Sequence, residues 1–303
     1  MPLKIFKKII LKIFNKNKYR NLRISENKER NLLFYKNNIQ DKLIKIKSSL
    51  ENKKEISFLH SGHLGDLMYS LPLVKELSKN YKCSFFIEIN KKTGVDYGNH
   101  PSGDVFINER TANLLIPLLA NQDYMSKVSI YNNEVIDIDL NLFRDIPINF
   151  YFHSVRWYMH LTGSQFDMST PALNVKPHDI IKNKIVIMRS PRYRNMYIDY
   201  KLLKNTKNIV CIGLKSEFED LKRDIPYLEF YDCKDFLEMA QIIKSCKFFI
   251  GNLCFAYSIA ETLKVPRLLE ASPEFPVVFP VGVNAFDFYH QIHFEKFYSI
   301  LNK

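Results

Sequence analysis

Several short stretches of the sequence carry side chains able to do chemistry together. His60-Ser-Gly-His-Leu-Gly-Asp66 gathers a carboxylate, two imidazoles and two glycines into one turn. A carboxylate where a strand gives way to a helix is stabilised by the helix dipole and can take a hydroxyl proton as a new bond forms. Capping is the commoner task for an aspartate at a helix start, so taken alone Asp66 reads first as a cap. His60 and His63 flank the same turn and, with Gly65, can orient whatever binds there. Arg189, Arg192 and Arg194 follow an apolar run, where guanidinium forks suit phosphate oxygens; the plainer reading is a solvated loop with surface ion pairs. Gly251-Asn252 would let a ligand approach the backbone, with the N–H groups of the next helix aimed at phosphate; any strand-to-helix turn needs such residues too. Gly213 ends another strand and either borders a bound base or simply turns the chain. Glu270, like Glu261, lies near these strand ends, where acidic residues bind ribose hydroxyls in related sheets; Glu261 also suits a solvated helix face.

These positions need a scaffold that delivers strand ends to one place. Glu55 to His60 reads as a buried strand, Asp66 onward as a helix with Leu67, Leu71, Val74 and Leu77 on one face, and Cys83 to Ile89 as a second strand. Pro72 either kinks that helix or opens its regular part. Ala112 to Leu119 and Val155 to Leu161 read as helices, Lys127 to Tyr131 and Val135 to Leu140 as strands. Asp167 to Asp179 has two prolines and no period, which places a linker near 168–183. Beyond it the pattern repeats: strands at 184–188, 208–213, 247–250 and 265–269, with helices at 235–245 and about 255–263. Alternating strands and helices predict parallel sheets covered on both faces, with ligands beyond the carboxyl ends of the strands. The last stretch, Phe286 to Leu301, is read as an aromatic helix packing back on the first half.

The chain has 303 residues, enough for two cores, and its 46% hydrophobic and 25% charged content is that of a globular protein. The formal charge of +12 has one source: residues 1–54 carry 16 Lys/Arg against 4 Asp/Glu, and the remainder is neutral. A basic stripe and a reader motif are both absent from the body, which argues against nucleic acid. Residues 1–20 read as a basic amphipathic helix, with Leu3, Phe6, Ile10, Ile13 and Phe14 at helical spacing among Lys4, Lys7, Lys8 and Lys12. Such a helix either lies on an anionic membrane, each lysine adding ~1 kcal/mol, or docks on its own protein with solvated lysines. Lysines interrupt every apolar run, so it is neither a signal peptide nor a span. Cys83, Cys211, Cys233, Cys246 and Cys254 show no C-x-x-C pair and read as reduced core thiols. With no further ligand beside His290 and His293, no metal site is expected.

Two segments together resemble the heptosyltransferase-type family of glycosyltransferases. His60 to Leu77 is similar to that family's strand, glycine turn, Gly-Asp and Leu-Pro opening. Cys246-Lys-Phe-Phe-Ile-Gly-Asn252, continued through Ala260 to Val265-Pro266, is similar to its donor-domain strand, Gly-Asn turn and following helix. The resemblance spans roughly residues 55–285. It implies an α/β GT-B fold of two doubly wound, Rossmann-like parallel-sheet domains facing a cleft. An acceptor-side domain would occupy 55–175 and a nucleotide-sugar domain 176–285, between the arm of 1–54 and the terminal helix of 286–303. It further implies metal-independent, inverting sugar transfer to a glycan or lipid-linked acceptor at the cytoplasmic face of a membrane, without a cofactor. Asp66 is then the general base, His60, His63 and Gly65 line the acceptor, and Arg189, Arg192, Arg194, Gly213, Gly251, Asn252 and Glu270 line the donor. The sequence departs from the family after Gly-Asn: Leu253, Cys254, Phe255 and Ser258 stand where polar donor-binding residues are usual, and Lys264 stands where a glycine ends the helix. An inactive glycan- or nucleotide-binding protein of the same fold is the alternative; an epimerase or hydrolase of that fold is a third.

Overall fold

The computed structural model describes residues 2–95, 101–145, 153–272 and 274–303. The chain begins with helices α1 (Pro2–Phe14) and α2 (Lys16–Phe34), a single π-helical segment (Tyr35–Ile39) and α3 (Gln40–Asn52). The first α/β half follows as β1 (Glu55–His60), α4 (Leu64–Leu77), β2 (Lys82–Ile87), α5 (Glu109–Ala120), β3 (Lys127–Ile130), β4 (Ile138–Asp139), a 3-10 turn (Leu142–Asp145) and α6 (Ser154–Thr162). The second half runs β5 (Ile185–Met188), β6 (Ile209–Cys211), α7 (Lys215–Lys222), β7 (Glu229–Phe230), α8 (Phe236–Lys244), β8 (Phe248–Gly251), α9 (Phe255–Leu263), β9 (Arg267–Glu270), β10 (Ala285–Phe288) and α10 (Gln291–Leu301).

The first sheet has the order β3-β2-β1-β4 and the second β10-β9-β8-β5-β6-β7. Every strand pairing within the two sheets is parallel, so each strand reads as a short continuous apolar run rather than an alternating one. Counted from its own first strand, the second sheet has the 3-2-1-4-5-6 order of a doubly wound dinucleotide-type fold, and the first has its 3-2-1-4 portion. Each sheet therefore reverses direction once. The reversal lies between β1 and β4 in the first sheet and between β5 and β8 in the second.

One apolar core runs from the first sheet to the second. Phe58, Leu67 and Leu71 belong to it, as do Ala256, Ile259 and Ala260 of α9. The halves meet where α4 packs on α9 and α5 on α8. Backbone bonds reinforce the contact: Ser154 N–H donates to Val277 O (2.9 Å) and Ala172 N–H to Thr262 O (2.9 Å). Pro72 sits within α4, which is helical from Leu64 onward, so the helix does not begin at the proline. Lys264 ends α9 in the left-handed region (φ 57°), and its ammonium pairs with Glu261 one turn back. Arg267, fully buried, binds the other oxygen of Glu261 (2.6 Å). Glu261 thus closes its own helix end and is not placed to meet ribose.

The end of the chain corrects one expectation. Residues 285–288 form the sixth strand of the second sheet rather than part of a helix, and α10 packs on that sheet rather than on the first half. Phe294 stacks on Phe288 (4.3 Å) and leans on Tyr200 (5.2 Å), while Tyr298 meets Phe248 edge-on (5.9 Å). Leaving the edge strand β10, the chain turns straight onto the open face beside it, and these aromatic side chains complete that core.

Candidate active site

The first reversal point is built around Asp66. β1 ends at His60, and its chain turns through Ser61 and Gly62 into α4, with Asp66 in the first helical turn. Ser61 N–H donates to Asn141 Oδ1 (2.9 Å) just past β4, and Asn141 is itself held by Asp139 through two bonds (2.9 and 2.8 Å). Arg144, on the 3-10 turn that follows, donates to Asn141 Oδ1 (3.1 Å) and forms a close ion pair with Asp66. Its guanidinium lies over the rings of Phe143 (4.5 Å) and Phe106 (5.0 Å), which fixes the fork in one place. A Cβ on Gly62 would come within 1.9 Å of the Arg144 guanidinium, so a larger residue there would push the fork aside.

His60 does something other than orient an acceptor. It is fully buried, its Nδ1 accepts from Gly62 N–H (3.0 Å), and its Nε2 meets Tyr158 Oη (3.1 Å). The Tyr158 hydroxyl donates its one proton to the Asp66 carbonyl (2.8 Å), so His60 Nε2 must be the protonated nitrogen. Burial, and then the nearby Arg144 cation, hold the imidazole well below its ordinary pKa. His60 is therefore a neutral internal strut under the turn. His63, partly exposed, precedes α4 and packs edge-on against Phe106 (4.8 Å).

The second reversal point holds the arginine loop, and most of its polar groups face inward. Arg189 grips Glu270 with two bonds (2.7 and 2.8 Å). Fully buried Glu270 also accepts from Asn195 N–H (2.6 Å) and Tyr200 Oη (2.9 Å). All of this occupies Glu270, so the structure removes it, and with it the Arg189 fork, from ribose and phosphate contact. Arg194 is bound to Asp220 (2.5 Å), Ser190 O (2.9 Å) and Arg189 O (3.2 Å) and braces the loop. Arg192 extends over the Tyr193 ring (5.6 Å) and adds positive potential at Glu217. Asn252 is fully buried, accepts from Ser190 N–H (2.9 Å) and donates to Ser190 O (2.9 Å) and Arg192 O (2.7 Å). It pins the loop from below rather than contacting a ligand. The pinning is needed, because Tyr193 sits in the left-handed region (φ 58°), which costs a non-glycine residue roughly 1 kcal/mol.

Gly213 and Gly251 of this half serve packing. A Cβ on Gly251 would lie 2.8 Å from Met188 O, and one on Gly213 would lie 2.3 Å from Glu217 Oε2. Glu217 closes the start of α7 through Leu214 N–H (2.9 Å), and burial raises its pKa despite that bond and the nearby Arg194 and Arg192.

The two points adjoin. A Cβ on Gly65 would reach only ordinary contact with Ser258 of α9 (3.9 Å). Ser258 N–H donates to Cys254 O (3.2 Å), and the Cys254 thiol points at Met188 O (3.7 Å), where the arginine loop begins. The first turn of α4, bearing Asp66, thus faces the first turn of α9. Phe255 packs against Phe236 (4.6 Å), Ser258 is buried, and burial pushes the Cys254 thiol up to about 12. Among the described residues no group of three or more His, Cys, Asp or Glu side chains is placed to hold a metal ion. Sequence patterns missed Asn141, Arg144, Tyr158, Glu217 and Asp220. Glu217 alone had a local signal, standing at the start of the helix that follows Gly213.

Two parallel sheets reversing order at facing points define the GT-B arrangement. No family model matches the chain, and no match emerges among curated proteins. Among solved structures, the E. coli heptosyltransferase WaaC with ADP-2-deoxy-2-fluoro heptose is similar at a TM-score of 0.51, with 11% identity over 77% of this chain and 92% of that one. A glycosyl transferase family 9 protein from Veillonella parvula is similar at 0.47, with 12% identity over 82% and 89%. So is the E. coli ADP-heptose lps heptosyltransferase II, at 0.47 and 12% over 82% and 98%. The WaaC likeness shows that this chain has the GT-B fold.

Proposed function

We propose that the chain transfers a sugar from a nucleotide-activated donor to a hydroxyl of a glycan or glycolipid acceptor, with inversion. One observation carries this reading: the carboxylate of Asp66 and the loop after β5 stand at facing reversal points, on either side of the α4–α9 contact. In a single displacement the acceptor oxygen attacks the anomeric carbon, its proton passes to Asp66, and the bond to the donor phosphate breaks. One in-line displacement inverts the centre. Arg144 holds one oxygen of Asp66 and so presents the other to the acceptor. The nucleoside diphosphate leaves with its charge facing Arg192 and the N–H groups that open α9, which need no metal to stabilise it. Gly65 and His63 border the acceptor side.

A second reading, a binder of nucleotides or glycans without transfer, draws on a specific observation. Leu253, Cys254 and Phe255 make the entry to α9 apolar, and Arg189 and Arg194 are spent on internal partners. Calorimetry with nucleoside diphosphates in EDTA, followed by an assay for sugar transfer, separates the two. Binding and transfer support the enzyme, binding alone supports the second reading, and no binding refutes both.

A further inference from the structure

Helices α1 and α2 form a hairpin that carries little of the protein's core. Of α2 no residue is buried, and α1 lies against it through the Lys8–Glu26 ion pair (2.7 Å). The large apolar side chains of α1 face the other way: Ile5, Phe6, Ile9, Ile10, Ile13 and Phe14 are each 41% to 80% exposed. At about 100° per residue these six occupy one half of the helix circumference, while Lys8 and half-buried Leu11 fall in the other, against α2. The side chains of Leu3, Lys4 and Lys7 lie outside the described ones. The π-helical segment and α3 fix the hairpin to the body: Ile39 and Ile46 are buried, Ser49 Oγ donates to Asp137 (3.0 Å), and Leu50 O accepts from Tyr81 Oη (2.6 Å). That attachment is to the half that carries Asp66.

We propose that the exposed face of α1 docks on an anionic phospholipid surface, its isoleucine and phenylalanine side chains entering the headgroup–acyl boundary and the hairpin's lysines and arginines meeting lipid phosphate. Six contiguous large apolar side chains exposed on one folded helix mark a surface that something covers. Charge selects the occupant. Residues 1–54 hold 16 Lys/Arg against 4 Asp/Glu, which attracts an anionic leaflet and repels a second copy of the same arm. α1 is 13 residues long, and no described helix is long and apolar enough to cross a membrane, so the fit is to lying along the surface. Fixed to the Asp66 half by α3, the helix would bring that half towards an acceptor presented at the membrane.

The test uses the full-length chain, without nucleotide, floated with vesicles of phosphatidylcholine alone or mixed with phosphatidylglycerol. Vesicle binding does not depend on sugar transfer, so failure here leaves the reaction untouched, and the reverse also holds. Binding is expected to be at least ~10-fold stronger to the mixed vesicles and to weaken as salt rises. Ile9→Glu with Ile13→Glu is expected to weaken it a further ~10-fold or more, with circular dichroism and melting temperature unchanged because both sites face solvent. Lys12→Glu should weaken binding to mixed vesicles only. Equal partition into both vesicle types overturns the proposal, as does undiminished binding of the double variant. So does a wild-type dimer in sedimentation that the double variant dissociates, with no vesicle binding.

Discussion

Glu270→Gln tests whether the arginine loop is held from inside or left open for a ligand. In the native protein the Glu270 carboxylate receives two bonds from Arg189, one from Asn195 N–H and one from the Tyr200 hydroxyl, with no exposure to water. The glutamine keeps the shape but presents an NH₂ to one of these donors and leaves the Arg189 charge unmatched, with its side chain only 13% exposed. Breaking a buried pair on one side costs about 3–5 kcal/mol, against a typical total stability of roughly 5–15 kcal/mol. For a chain of this size that lowers the melting temperature by on the order of 10 °C. Thermal unfolding followed by circular dichroism and calorimetry reads the loss. Replacing both partners, Arg189→Met with Glu270→Met, should recover only part of it: no buried charge remains, but Asn195 N–H and the Tyr200 hydroxyl lose their acceptor. The reasoning is refuted if Glu270→Gln melts within a degree or two of wild type yet binds nucleoside diphosphate much more weakly. That result would restore Arg189 and Glu270 as donor-binding residues.

Other outcomes follow from the same geometry. Gly251→Ala forces a Cβ against Met188 O and the Phe249 ring and should destabilise by about 1–3 kcal/mol, measured by urea unfolding. Asn252→Ala removes three bonds to the arginine loop; at about 1–3 kcal/mol for a buried polar group left unpaired, it should cost stability and weaken nucleotide binding together. Arg144→Met frees the Asp66 carboxylate from its fixed position and should slow transfer ~10-fold or more while leaving nucleotide affinity unchanged, as read by initial rates and calorimetry. For pH, the imidazole of His60 is held neutral well below its ordinary value of 6.5, so the unfolded chain binds the extra proton first. Its contribution is therefore complete above about pH 6.5 and declines by up to ~1.4 kcal/mol per pH unit below it. His153, lowered by burial, acts in the same sense. Unfolding free energies at pH 7.5 and 5.5 should differ less in His60→Gln than in wild type.

Local patterns carried the scaffold and failed at long-range pairing. β1, β5 and β8 were legible because each is an apolar run cut off by a glycine or arginine turn. β7, with two residues, is too short to show a period, and β10 was hidden inside an aromatic stretch that reads as helix. The docking of α10 could not be read because the edge strand that redirects the chain was unseen. The place of Asp66 at a helix start was legible because that is a local event. Its partner Arg144 lies 78 positions away on a 3-10 turn with no motif of its own. The arginines show the limit from the other side. A guanidinium committed to a glutamate 81 positions distant looks, in sequence, the same as one waiting for phosphate. Asn252 was singled out for a ligand, and its side chain instead holds the loop on which such a ligand would rest.

The most direct test compares wild type and Asp66→Asn with a panel of nucleotide sugars and glycan acceptors, following nucleoside diphosphate release and product by mass spectrometry. The account predicts acceptor-dependent transfer in wild type. In the variant it predicts a loss of about 100- to 10,000-fold, with nucleoside diphosphate affinity and melting temperature preserved. Transfer at the wild-type rate by the variant would contradict it.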